Sequence, residues 1–245
     1  MDTNIKFIKF FSIASVITFI ICYILYLFPF EKSWLSTSFL TSIFSGIFAS
    51  FLVVLITELK KYFVNKKAAE NQIYWTCLHM YTELVAEIQL IDTFLDDTNA
   101  IVPEKVLSNR MPNIQYFINQ LHCTNYVTIN KHNKFFLQFQ NFETSNIYRI
   151  QNYVNNSFSL DIAIKKEKIF YLQNGSHQNP TAQNSLVNEA LKNIKVEANT
   201  CKTITNDFLD IITSFFPKQF DWKANKEEID KMGTYSENKN VKNFL

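Results

Sequence analysis

Glycine is almost missing from this chain, with 3 in 245 residues, and proline is nearly as rare at 5. β-Sandwiches and barrels need many tight turns, and tight turns draw on both residues. Their scarcity points to long helices. Charge is sparse too: charged residues make up 19%, below the usual quarter, and the formal net charge of +2 gives no bulk attraction to nucleic acid. The 4 cysteines, at 22, 77, 123 and 201, show neither CxxC spacing nor a histidine pair at zinc-finger spacing. They read as free, mostly buried thiols in a reducing compartment. The 4 histidines, His79, His122, His132 and His177, are scattered, and no HExxH, GxSxG, Walker A or dinucleotide glycine pattern is present. His122 beside Cys123 lacks a third group to orient a nucleophile–base pair. The chain is therefore not read as an enzyme, and no cofactor or metal is expected.

What is present is apolar length. Phe10 to Phe30, FFSIASVITFIICYILYLFPF, and Ser33 to Thr57, SWLSTSFLTSIFSGIFASFLVVLIT, carry no charge. Each matches the roughly 20 apolar residues that a spanning helix needs. The first run ends in Tyr-Leu-Phe-Pro-Phe rather than a small-x-small cleavage site, so it reads as a span and not as a signal peptide. Only a short link with Glu31 and Lys32 separates the two, which predicts a transmembrane hairpin. Lys6 and Lys9 precede the first span and Lys60, Lys61, Lys66 and Lys67 follow the second. Lysine bias of this kind places both termini in the cytoplasm. Tyr23, Tyr26, Phe28, Phe30 and Trp34 form the aromatic belt at the outer ends.

The second span raises a question through TSIFSGIFAS. Ser38, Ser42, Gly46 and Ser50 lie four apart, and Thr41, Ser45 and Ala49 form the adjacent row. Residues three and four apart share a helix face, so these small side chains make one stripe. Small residues let helix backbones approach in lipid, and hydroxyls can bond across the contact. Three roles are open: packing against the first span, packing between copies in a homo-oligomer, or lining a weakly polar pore. The last two overlap, because two spans alone cannot enclose a pore. The absence of Asp, Glu, Lys and Arg inside either span argues against a proton relay or charge-selective filter.

The remainder reads as a helical bundle. Ile73, Cys77, Met80, Leu84, Ile88, Ile91 and Leu95 step by four and three, and no Pro or Gly lies between Glu58 and Asp97. The second span is thus expected to continue as one long helix. Asp96, Asp97 and Pro103 end it. Pro112 and Asn113 start a helix through His122, and another is expected over about 131 to 156. Tyr126 to Ile129 has strand-like composition, residues 159 to 172 fit helix or strand, and Asn174-Gly175 marks a turn. The clearest element is the face Val187, Leu191, Ile194, Ala198, Cys201, Thr205, Phe208, Ile212 and Phe215, entered at Asn179-Pro180-Thr181 and stopped by Pro217. It serves either as the core face of a bundle or as a coiled coil with a partner. Asp92, Asp96 and Asp97, and Lys165, Lys166 and Lys168 around Glu167, read as solvated patches. The expected organisation is an all-α membrane protein: residues 1–58 as the hairpin, with spans at about 10–29 and 38–58, residues 59–217 as a cytoplasmic helical domain, and residues 218–245 as a polar, partly disordered tail with Trp222 as its anchor candidate.

Two uncharged spans in a tight hairpin, no catalytic motif, and an Asn-, Lys-, Ile- and Phe-rich helical remainder together resemble the two-transmembrane effectors of bacterial anti-phage systems. The nearest likeness is to the membrane effector that accompanies some retron reverse transcriptases; the layout is also similar to two-span effectors paired with cyclic-nucleotide signalling. The resemblance is one of layout and assigns no residue a role. It implies a toxic inner-membrane effector of abortive infection. Such a protein stays silent beside a partner from the same defence operon, either a reverse transcriptase with its RNA–DNA product or a nucleotide-signalling protein, and permeabilises or depolarises the membrane when infection is sensed. Direct nucleic-acid binding is not expected. The rival reading is a non-toxic membrane-anchored scaffold or sensor that recruits a soluble partner through the Val187–Phe215 face.

Overall fold

The computed structural model describes residues 3–28, 31–32, 35–123 and 134–236. The chain is built from helices. α1 spans Thr3–Leu27 and α2 spans Thr37–Asp96. Between them β1 (Glu31–Lys32) pairs antiparallel with β2 (Leu35–Ser36), Glu31 opposite Ser36 and Lys32 opposite Leu35. α3 (Met111–Cys123), α4 (Lys134–Asn141), α5 (Ile147–Gln173), α6 (Ser185–Phe215) and α7 (Trp222–Ser236) follow, with a π-helical turn at Phe142–Asn146 joining α4 to α5. Among the described residues two helices are long and apolar enough to cross a membrane: one over Lys6–Leu27, mean hydropathy 2.3, and α2, whose most apolar window reaches 2.4.

α2 is a single helix of 60 residues. Its only glycine is Gly46 and it has no proline, so nothing in the backbone chemistry interrupts it. The chain nevertheless forms two compact units, and the division falls inside α2 between Asn71 and Gln72. The lysines that follow the apolar run begin at Lys60, and the first buried residues of α2 are Ala69 and Glu70.

In the first unit α1 lies against α2 through aromatic rings. Phe11 meets Phe51 and Phe19 meets Phe48, each with ring centroids 5.9 Å apart. The buried positions of α1 are small and polar: Ser15 and Thr18. Thr18 satisfies its own hydroxyl by donating to the Ala14 carbonyl at 2.7 Å.

In the second unit α2 contributes Ile73, Cys77, Met80, Tyr81, Leu84 and Ile91 to the core. Ile114, Ile118 and Leu121 of α3, Ile150, Tyr153 and Leu160 of α5, and the inner face of α6 are buried in the same unit. α5 and α6 share the most extensive contact. Aromatic stacking knits the centre: the Phe142 and Phe208 rings are parallel with centroids 3.9 Å apart, and Phe135 packs edge-on against Phe215 and Phe216. Burial of this apolar surface is the main drive for the bundle. The turn after α2 is tied to the turn before α6, where Val102 N–H donates to Pro180 O at 3.1 Å and Gln183 N–H to Thr98 O at 2.9 Å. Gly175 takes a positive φ of 73°, which closes the Asn174-Gly175 turn at the end of α5.

Several expectations change. Residues 159 to 172, which fit helix or strand, are helical, because α5 continues to Gln173 with Leu160, Ala163 and Ile164 buried at helical spacing. The helix expected over about 131 to 156 is broken in register by the π turn. The tail expected to be partly disordered is helical over Trp222–Ser236, because Phe220, Trp222 and Ile229 bury themselves. Trp222 meets the Tyr81 ring edge-on at 4.8 Å, and Phe220 stacks on Tyr74 at 4.1 Å. Phe30, Trp34, Tyr126 to Ile129 and residues 237–245 lie outside the described residues.

Candidate functional site

The small-residue stripe of α2 is the feature with a geometry to interpret. Phe44, Phe48, Phe51 and Leu55 are partly covered, and the rings of Phe48 and Phe51 are the ones that meet α1. Ser38, Ser42, Ser45, Gly46, Ala49 and Ser50 are exposed, and Thr41 stands at the edge, half-buried. The rings of Phe48 and Phe51 turn toward α1, and the small side chains are exposed beside Phe39, Ile43 and Ile47. In this structure α1 does not cover the six exposed residues of the stripe. A Cβ added at Gly46 would meet nothing within 4 Å.

The hydroxyls of this face are already satisfied by their own helix. Thr41 donates to Thr37 O at 2.7 Å, Ser42 to Ser38 O at 2.9 Å, Ser45 to Ser42 O at 3.0 Å and Ser50 to Gly46 O at 2.9 Å. Back-bonding of this kind lets a serine sit in an apolar medium without an unmet donor. Each oxygen keeps acceptor capacity, so the face is small, smooth and weakly polar. It suits close helix approach or contact with water better than contact with acyl chains.

The complementary pattern on α1 was missed in the sequence. Ala14, Ser15, Thr18 and Cys22 sit at helical spacing, half-buried or buried, and leave room for the phenylalanines of α2. The signal was present, because their spacing equals that of the α2 stripe. On α1 these small residues face the large rings of Phe48 and Phe51 rather than the small residues of α2.

The other site expected from sequence lies inside the second unit. Val187, Leu191, Ile194, Ala198, Cys201, Thr205, Phe208 and Ile212 are buried in the core, while Phe215 is partly exposed. Thr205 turns its hydroxyl onto Cys201 O at 2.8 Å, which allows a threonine on an apolar face. A face covered by α5 and α4 offers no surface to a soluble partner, so the coiled-coil role for these residues is set aside.

At the middle of the bundle stands a polar pair that the periodicity did not single out. Glu87 of α2 is fully buried and accepts a hydrogen bond from the Tyr153 hydroxyl of α5. Burial pushes the Glu87 carboxyl up to about 7, against the pull of the Tyr153 hydrogen bond and of Arg110. Burial, then the neighbouring Glu87 charge, raises the Tyr153 hydroxyl as well. Glu87 stands three residues after Leu84 and four before Ile91, and that spacing is the signal for a carboxyl on the core face.

Nothing among the described residues assembles a catalytic constellation. His122 Nδ1 pairs with Glu143 Oε1 at 2.9 Å rather than with the Cys123 thiol. His79 stacks on Phe117 at 5.8 Å beside the exposed rings of Trp75 and Tyr116. Asp92 pairs with Lys195, and Lys168 with Glu104 at 3.0 Å. Cys77 and Cys201 are buried, Cys22 is half-buried and Cys123 is exposed, all as free thiols. No three His, Cys, Asp or Glu side chains among the described residues are placed to hold a metal. No protein-family model, curated protein or solved structure matches the chain, so its function is argued from its own residues.

Proposed function

We propose that the chain is a two-span inner-membrane effector of anti-phage defence that oligomerises through the small-residue face of α2 and permeabilises the membrane when infection is sensed. In this reading α1 and the first part of α2 cross the bilayer, both termini face the cytoplasm, and the second unit is cytoplasmic. The two apolar helices and the lysines beyond them support that placement.

The observation that carries the reading is the orientation of Ser38, Ser42, Ser45, Gly46, Ala49 and Ser50 away from α1. About 20 of the 60 residues of α2 suffice to cross the hydrocarbon core, and the later residues of the same helix supply the core of the second unit. A change in bundle packing is thereby linked through one uninterrupted helix to the face that would meet other copies. The switch needs two states whose balance a partner shifts. A protein of the same defence operon, a reverse transcriptase with its RNA–DNA product or a nucleotide-signalling protein, fills that role. The scaffold alternative would have to use another surface of the second unit, because Val187 to Ile212 of the face first considered for it are buried.

The test is membrane potential in growing bacteria, read with a voltage-sensitive dye after induction of the chain and, separately, during phage infection with the neighbouring genes present. Depolarisation that disappears in Gly46→Leu at equal membrane abundance is the expected result. Depolarisation that persists unchanged in Gly46→Leu removes the face from the mechanism, and none in either setting removes the effector reading.

A further inference from the structure

The outer face of α5 is apolar where the outer face of a bundle helix is normally polar. Phe158, Ile162, Ile169 and Leu172 are exposed by 47, 54, 54 and 52%. Their spacing of four, seven and three aligns them along one side of the helix. Lys165 stands within this stripe and Lys166 and Lys168 flank it, all three exposed. The two carboxylates of α5 are engaged elsewhere. Asp161 is buried and accepts the Lys105 backbone N–H at 2.8 Å, and Glu167 faces Asn184 Nδ2 at 3.5 Å. Lys168 pairs with Glu104, while Lys165 and Lys166 make no ion pair among the described residues. The exposed side of α5 thus combines aliphatic and aromatic bulk with an excess of positive charge, three lysines against Glu104 and Glu167.

We infer that this face of α5 docks on the anionic surface of a lipid bilayer. Apolar side chains flanked by lysines are the pattern of a helix lying in the interface, the rings and branched chains entering the acyl boundary and the ammonium groups reaching phosphate. Two other occupants fit less well. A second copy paired symmetrically through this stripe brings Lys165 and Lys166 near their own equivalents, a like-charge contact that Glu104 and Glu167, already facing Lys168 and Asn184, offset only in part. A nucleic acid would satisfy the lysines but meet Ile162, Ile169 and Leu172, which offer neither a stacking plane nor a hydrogen bond. The inference rests on the membrane reading above: α1 and α2 hold the second unit near a bilayer, which raises the effective lipid concentration around α5.

The experiment uses the full chain in nanodiscs of phosphatidylcholine alone or of phosphatidylcholine with phosphatidylglycerol, with amide hydrogen exchange as readout. Exchange across residues 158–172 is expected to slow by roughly thirtyfold when phosphatidylglycerol is present, the effect of two lysines at an anionic surface. The double variant Lys165→Glu, Lys166→Glu is expected to lose that protection. The amides of α1 and of α2 before Glu58 report insertion separately. If they are protected while α5 exchanges alike in both lipids, this inference falls and the membrane reading stands; if they are unprotected, both fall. Protection of α5 that follows the number of copies per disc, whatever the lipid charge, assigns the face to a second copy and overturns the inference.

Discussion

Glu87 accepts the Tyr153 hydroxyl proton in a hydrogen bond that joins α2 to α5 where neither side chain meets solvent. Both groups sit on the stripes that build the core, so the bond crosses the bundle at its most buried layer. A carboxyl in such a place resists ionisation because the charged form loses its hydration.

That resistance has a consequence for pH. The Glu87 carboxyl is held at about 7 in the folded chain against 4.5 ordinarily, so the folded state binds the proton more tightly than the unfolded chain. The resulting stability is full below the ordinary carboxyl value and is lost as pH rises through about 7, flat thereafter. The size is about 3 kcal/mol. Unfolding of the chain in detergent, followed by the near-ultraviolet circular dichroism of the bundle aromatics, is expected to become easier from pH 5 to 8. Glu87→Gln keeps an acceptor for Tyr153 but cannot ionise, and should flatten the profile. A slope that survives in Glu87→Gln assigns the pH dependence to other groups.

α7 is a structural part of the second unit rather than a tail. Trp222 is fully buried against Tyr81, and its indole N–H has no hydrogen-bond partner among the described residues. Trp222→Ala should destabilise the bundle by about 3–5 kcal/mol through the cavity it leaves. Trp222→Phe should cost far less, since it removes an unmet donor worth about 1–3 kcal/mol together with the lost area. Denaturant midpoints of the two variants measure this; equal losses would mean that the indole nitrogen is satisfied.

The fold was legible where periodicity was long and unbroken. α6 and the length of α2 follow from four-and-three spacing and from the missing glycine and proline. α7 was not legible, because its charged residues outnumber its anchors and its helix depends on Phe220 and Trp222 finding Tyr74 and Tyr81 about 150 residues away. The small-residue face of α2 could be read as a stripe, but not its direction. Direction is set by which helix offers room for Phe48 and Phe51, and that is a property of the pair. Glu87 was masked by its apolar neighbours, since a single carboxyl does not disturb the pattern around it.

Direction can be tested by cross-linking. In a Cys22→Ser, Cys123→Ser background, Ala49→Cys places a thiol on the exposed small face and Phe51→Cys places one against α1. Mild oxidation in membranes is expected to give disulfide-linked dimers from the first and little from the second. Cβ atoms must approach within roughly 3.5–4.5 Å to form the bond, so yield reports proximity between copies. Equal yields would mean that α2 presents no preferred face to its neighbours.

The native cysteines supply a probe that needs no mutation in the second unit. Cys123 is exposed at the end of α3, whereas Cys77 and Cys201 are buried. Burial lifts the Cys201 thiol to about 12 and raises Cys77 as well, so the reactive thiolate is scarce at both even where reagent reaches them. A maleimide reagent on the native chain should modify Cys123 rapidly and the other two only when the bundle opens, the two rates differing by several powers of ten because opening follows the stability of the core. Since Cys77 lies on α2 and Cys201 on α6, their labelling also reads the switch proposed for this chain. A partner or lipid that repacks the bundle around α2 should change the Cys77 and Cys201 rates together while leaving Cys123 unchanged. Constant rates across silent and depolarising conditions would place the switch outside the core of the second unit.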